Sequence, residues 1–206
     1  MTTRRMLLVS LGLGRVPEFV SGEIKGKVLA FVPTAATPYE DRSFVERDRI
    51  ALAGMGFDVR DVPLEGKNVE TLRDELAEVE VLFVAGGNSF YLLQEVKSSG
   101  FDVVLEELLD RGVPYIGASA GAILVGPDLR PVTTLDDPGA ASALNDMTGL
   151  GLVNFVTLPH YGVENYLPEY HSIIKRYQDE LDLIPLRNDQ AVDVTGSEHA
   201  VVDSAE

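Results

Sequence analysis

The sequence contains no cysteine in its 206 residues. That absence excludes a disulfide framework, cysteine-ligated zinc, iron–sulfur clusters and every mechanism built on a thiolate nucleophile. Basic residues are few, with 17 Lys and Arg against 33 Asp and Glu, a formal net charge of −16 at pH 7. Such a surface repels phosphate backbones and anionic lipid, so neither nucleic acid nor a membrane surface is an expected partner. Long apolar runs are missing too, since none reaches the ~18 residues of a membrane span. Residues 1–14 imitate a signal peptide, with Arg4 and Arg5 ahead of an apolar stretch. That stretch is short, holds Gly12 and Gly14, runs into Arg15 and Pro17, and has no small-residue cleavage site after it. A first buried strand and a cytoplasmic location are the expectation.

What is present is ordinary globular composition, 45% hydrophobic and 24% charged. The length favours one domain over residues 1–206, burying roughly 70% of the surface its unfolded chain exposes. Short runs rich in Val, Ile and Leu lie at 6–11, 27–32, 59–64, 79–84 and 114–116. Most lack two-residue alternation, as strands covered on both faces do. Helical stretches separate them at 43–54, 68–77, 89–95 and 101–109, the last stopped by Gly112. Strand–helix repetition predicts an α/β fold, a doubly wound, mostly parallel sheet between helices. After residue 126, Pro127, Pro131 and Pro138 mark a long irregular connection. An apolar run at 152–158, a polar helix over 168–181, and a terminal strand pair at 183–186 and 191–194, read as antiparallel, complete the chain.

The sharpest local signal is Gly117-Ala118-Ser119-Ala120-Gly121, directly after a strand and before the small, apolar run 122–125. Strand–turn–helix G-x-S-x-G is a nucleophile elbow: small neighbours allow a strained turn that lifts the hydroxyl clear of the sheet. The helix start then aims free amides at a developing oxyanion. The bare string is weak evidence, and a glycine-padded turn is the alternative. A second glycine element, Gly86-Gly87-Asn88-Ser89, ends the strand at 79–84; Gly-Gly permits close backbone approach, and Asn88 or Ser89 can cap the next helix. Among three histidines, only His160 directly follows an apolar run. An acid to orient it is harder to name, because Asp136, Asp137 and Asp189 could each be a solvated loop charge. Gly12-Leu13-Gly14 follows the first strand, but Pro17 occupies the third glycine position of a dinucleotide fingerprint. His160, Glu164, Glu169 and His171 match no zinc spacing.

At these residues the chain resembles the peptidase E family, the aspartyl dipeptidases and their relatives, with cyanophycinases as more distant kin. The shared elements occur in order over most of the chain: Gly86-Gly87-Asn88, the Ser119 elbow, Thr133-Thr134-x-Asp136, Pro159-His160-Tyr161, and Leu186-x-x-x-Gln190-Ala191. The resemblance implies a flavodoxin-like, class I glutamine-amidotransferase-like sandwich in which serine replaces the cysteine nucleophile. It implies Ser119 as nucleophile, His160 as general base, and the Gly87 and Ala120 amides as oxyanion hole. Asp136 matches an active-site aspartate of the family. The orienting acid, Glu or Asp in the family, falls on Asn188, with Asp189 one residue away. Arg176, beside Lys175, takes the position that would neutralise an N-terminal aspartate side chain.

The implied activity is cleavage of short peptides, dipeptides with N-terminal Asp above all, with no cofactor or metal; a homodimer is compatible with it. Two other readings stand beside it. An α/β-hydrolase esterase would use the order Ser119, Asp136, His160. A non-catalytic binding domain would keep the fold while Asn188 marks decay, since an amide cannot stabilise an imidazolium as a carboxylate does.

Overall fold

A computed structural model describes residues 2–205. Its strands are β1 (Arg5–Val9), β2 (Val28–Val32), β3 (Asp58–Asp61), β4 (Val81–Val84), β5 (Tyr115–Ala118), β6 (Phe155–Leu158), β7 (Asp182–Pro185), β8 (Gln190–Thr195) and β9 (Glu198–Asp203). Its α-helices are α1 (Val16–Val20), α2 (Ser43–Gly54), α3 (Val69–Glu75), α4 (Ser89–Ser99), α5 (Phe101–Asp110), α6 (Ala120–Leu124) and α7 (Leu167–Tyr177). Seven strands form one sheet in the order β3-β2-β4-β5-β1-β8-β9. The first five of these run parallel, whereas β8 is antiparallel to both β1 and β9.

The unalternating apolar runs are explained by the two faces of this sheet. Met6 and Leu8 of β1 and Leu82 and Val84 of β4 enter one core with Leu93 and Val96 of α4, Leu105 of α5 and Ile123 of α6. Their neighbours Leu7, Val9, Val81 and Phe83 enter a second core with Phe19 of α1 and Leu52 of α2. Met6–Val9 of β1 and all of β4 are therefore apolar, because both pleat directions end in protein, whereas the edge strand β3 carries Asp58, Arg60 and Asp61 to solvent. Phe31 of β2 and Phe83 of β4 stack across the second face at 5.2 Å between ring centroids. Each fully buried Leu, Val or Phe contributes roughly 1.5–3 kcal/mol relative to exposure. The α/β, mostly parallel sandwich read from the sequence is the architecture found.

The C-terminal third differs from expectation. The strand predicted at 183–186 is not the partner of that at 191–194. It is β7, paired parallel with β6 in a separate two-stranded sheet, from Phe155↔Asp182 to Leu158↔Pro185. The antiparallel partner of β8 is β9, a strand not expected from the sequence, with five of its six residues exposed. Its three apolar residues, Ala200, Val201 and Val202, are consecutive, and only Val202 packs against the core, so an edge strand here leaves no alternating pattern to find. Helix α1 also escaped, being five residues long and opened by Pro17 in its first turn.

Candidate active site

Strands β1, β4 and β5 lie side by side at the sheet centre, so their carboxyl ends bring Ser10, Gly86 and Ser119 to one edge. Open α/β sheets form their ligand crevices at that edge. Ser119 sits at φ 49° and ψ −106°, a left-handed setting that costs a non-glycine residue on the order of 1–3 kcal/mol. The turn closes only because its flanks are bare. A Cβ on Gly117 would lie 2.5 Å from the Gly121 carbonyl oxygen, and one on Gly121 would lie 2.3 Å from that of Val84. The buried Tyr115 hydroxyl donates to the Gly121 carbonyl at 2.7 Å, holding the far side of the elbow.

His160 reaches Ser119 from the end of β6. The Ser119 hydroxyl and His160 Nε2 are 2.9 Å apart. The other ring nitrogen, Nδ1, is 2.8 Å from Asn188 Oδ1, just past the end of β7. An amide oxygen accepts only, so Nδ1 carries the proton and Nε2 is left free to take that of the serine. His160 is itself left-handed, at φ 63°. Its backbone N–H donates to Ser10 Oγ at 2.7 Å, and Ser10 Oγ donates to the Leu186 carbonyl at 3.3 Å. The fully buried Ser10 thus ties β1 to the ends of both β6 and β7. Sequence reasoning missed it, and a lone serine ending an apolar run carried no signal that could have found it.

Gly87 has φ 143°, and a Cβ there would stand 2.2 Å from the Ala35 carbonyl oxygen, so only glycine fits. A Cβ on its neighbour Gly86 would be 3.2 Å from that of Ser119, which places the Gly-Gly turn against the elbow. Among the described residues, neither the Gly87 nor the Ala120 amide donates a hydrogen bond to protein. Asn88 caps α4 by accepting from the Phe90 and Tyr91 amides at 3.1 and 2.9 Å, and its Nδ2 donates to the Asp137 carbonyl at 2.9 Å. Asp136 Oδ2 accepts the Ser89 amide at 2.9 Å. Burial pushes the Asp136 carboxyl above the ordinary carboxylate range, against the opposing pull of hydrogen bonds from Ser89 and of the His160 charge.

The predicted site residues thus divide. Ser119, His160 and Asn188 form a hydrogen-bonded chain, and Asp136 lines the same cleft as Ser119 and His160. Asp189 points away and pairs with Arg187 at 3.1 Å on the surface. Asp137 caps a turn by accepting the Gly139 amide at 2.8 Å. Arg176 is exposed on α7 with its guanidinium 5.2 Å from the Tyr177 ring centroid, and it is not among the residues lining the cleft. It lies six residues, about 9 Å of helix axis, beyond the cleft-lining Tyr170. Among the described residues no group of three or more His, Cys, Asp or Glu is placed to hold a metal ion, and no helix is long and apolar enough to cross a membrane.

The cleft measures about 380 Å³, within the range of small-molecule sites. Comparison with known proteins places the chain in a family. The sequence model described as peptidase family S51 matches residues 14–202. An uncharacterized peptidase of Listeria monocytogenes is 32% identical over 197 residues, 95% of this chain and 96% of that protein. A peptidase E of Streptomyces coelicolor is 40% identical over 136 residues, 66% of this chain and 52% of its own length. The crystal structure of a candidate peptidase E protein from Listeria monocytogenes superposes with a TM-score of 0.90 at 31% identity, covering 98% of this chain and 99% of that one.

Proposed function

Because the chain belongs to peptidase family S51 and is a serine-type peptidase, we propose that it hydrolyses short peptides with Ser119 as nucleophile and His160 as general base. The observation that carries this reading is the chain from the Ser119 hydroxyl through the imidazole to Asn188, with links of 2.9 and 2.8 Å. Ser119 Oγ attacks the peptide carbonyl carbon while its proton passes to His160 Nε2. The oxygen of the tetrahedral intermediate takes its charge against the Gly87 and Ala120 amides, which have no competing acceptor among the described residues. His160 returns the proton to the leaving amine as the C–N bond breaks, and water, deprotonated by the same imidazole, hydrolyses the acyl-enzyme.

Asn188 keeps the imidazole in the productive tautomer but brings no charge to the imidazolium that forms. A charged acceptor would be worth roughly 1–2 kcal/mol more than an amide oxygen. The esterase order Ser119, Asp136, His160 has less support, since the Asp136 oxygen with a hydrogen bond takes the Ser89 amide and Asn188 occupies Nδ1. The preference for N-terminal aspartate relies on Arg176 as a counter-charge, and Arg176 lies outside the cleft lining. The proposal therefore stops at short peptides.

A fluorophosphonate probe tests it, with the labelled residue located by mass spectrometry. The expected result is covalent modification of Ser119, lost in Ser119→Ala and at least a hundredfold slower in His160→Ala. A wild-type protein left unlabelled by concentrations that modify a control serine peptidase would overturn the reading in favour of a binding domain of the same fold.

A further inference from the structure

The Ser119 cleft is lined almost wholly by uncharged side chains. Ile123, Val132, Leu135 and Val163 supply aliphatic surface, and Tyr39, Tyr166 and Tyr170 supply rings. Among the described residues five large apolar side chains remain exposed, and two of them, Tyr39 at 39% and Tyr166 at 52%, line this cleft. The Tyr170 hydroxyl is committed to the Pro159 carbonyl, so its ring presents carbon to the cleft. No lysine or arginine stands among the lining residues, and Asp136 is the one carboxylate there.

Asp136 is an anion without a cation. One of its oxygens takes the Ser89 amide at 2.9 Å; among the described residues no side-chain ion pair involves either oxygen. A desolvated carboxylate in an apolar wall is costly unless a partner arrives. Ser89 is two residues from Gly87, so the carboxylate sits close to the amides proposed for the oxyanion. In a bound peptide, the α-nitrogen of the first residue is two bonds from the carbonyl carbon under attack. A lysine side-chain ammonium is six bonds from the same carbon, four further out. The α-ammonium therefore has the reach that matches this carboxylate.

Resting on the serine-peptidase reading above, we propose that Asp136 binds the α-ammonium of the substrate's first residue and that the tyrosine-lined wall receives its uncharged, apolar or aromatic side chain. The substrate class is then short peptides with a free N-terminus and a neutral first residue. The α-ammonium of an N-terminal aspartate would be taken up by Asp136, and its side-chain carboxylate would enter a wall that holds no lysine or arginine to neutralise it.

Protection against the fluorophosphonate probe distinguishes the outcomes, with amino-acid amides as minimal peptides. Leucine and phenylalanine amides are expected to slow Ser119 labelling at concentrations at least tenfold below those required of aspartic acid 1-amide, lysine amide or N-acetyl-leucine amide. In Asp136→Asn the advantage of the free over the acetylated leucine amide is expected to vanish, and Asp136→Glu to retain part of it, with circular dichroism confirming that both variants fold. The proposal is overturned if the aspartyl or lysyl compound protects as well as the leucyl, if acetylation makes no difference, or if Ser119 labels and nothing protects it. Failure of the probe to label Ser119 at all would instead remove the peptidase reading beneath it.

Discussion

At the scale of single residues, Asn188 is where the site can be improved. Its oxygen does the geometric work of an orienting acid at 2.8 Å from Nδ1 without the charge. Asn188→Asp should raise the rate of Ser119 phosphonylation at neutral pH about 5- to 30-fold, the equivalent of ~1–2 kcal/mol. Stopped-flow or gel-based labelling kinetics check this, and a rate that falls would mean that the amide nitrogen of Asn188 has a partner the aspartate loses. Asp136 bears on stability in the opposite sense to a salt-bridged carboxylate. Its folded-state pKa lies above the ordinary value, so the native protein binds more protons than the unfolded one between those two values. Stability contributed by this group is present below the ordinary carboxylate pKa and is lost as pH rises through the folded one. Asp136→Asn should therefore raise the melting temperature at pH 7, with the gain shrinking below about pH 4. Calorimetry across that range decides it.

At the scale of elements, the site is assembled where β-strand ends meet loops bonded to neighbouring backbone. The Gly12-Leu13-Gly14 turn rejected as a nucleotide fingerprint has a structural use. A Cβ on Gly12 would lie 2.0 Å from the Ser204 carbonyl oxygen, and the Gly12 amide donates to the Asn188 carbonyl at 2.9 Å. Ser204 Oγ in turn donates to the Gly12 carbonyl at 2.7 Å, and the Ser204 amide donates to that of Asp189 at 2.7 Å. The end of the chain thus clasps the Asn188 loop against β1. Gly12→Ala should cost on the order of 1–3 kcal/mol by forcing backbone against backbone. It should also slow Ser119 labelling through the displaced Asn188, a pairing that urea denaturation and labelling rates measure together. Retention of full stability would show that residues past β9 yield without consequence.

At the scale of the whole molecule, charge dominates. The formal net charge is −16, and most ion pairs, such as Arg73–Glu107 and Arg187–Asp189, are largely exposed. Exposed pairs contribute roughly 0–1 kcal/mol each, so they offset little of the general repulsion among carboxylates. Raising sodium chloride from about 10 mM to about 300 mM shortens the screening length from about 30 Å to about 6 Å. The melting temperature should climb by several degrees over that range, and a scanning calorimeter would show a flat or falling trend if local pairing already compensates.

How far the sequence reached follows from which interactions are local. Burial on both faces forces β1, β2, β4 and β5 to be apolar without alternation, so the parallel sheet was legible from composition along the chain. The elbow was legible because its turn demands small residues at fixed spacing around Ser119, and Gly87 because no other residue tolerates its backbone. Pairing between distant strands leaves no such mark. Whether the strand at 182–185 joined β6 or β8 depended on where α7 carried the chain, and β9 was hidden because its apolar residues, Ala200 to Val202, do not alternate with polar ones. The same holds for the choice among Asp136, Asp137, Asn188 and Asp189. All four are short polar side chains in loops, and only the folding of β6 beside β7, with Ser10 bonded to both ends, brings Asn188 to the imidazole while Arg176 is left on the outer surface of α7. The sequence by itself determined the central buried strands and the glycine-flanked turn at Ser119, because steric and burial requirements act within a few residues. Which side chain faces which across the cleft was decided by tertiary structure, because that depends on the packing of elements far apart in the chain.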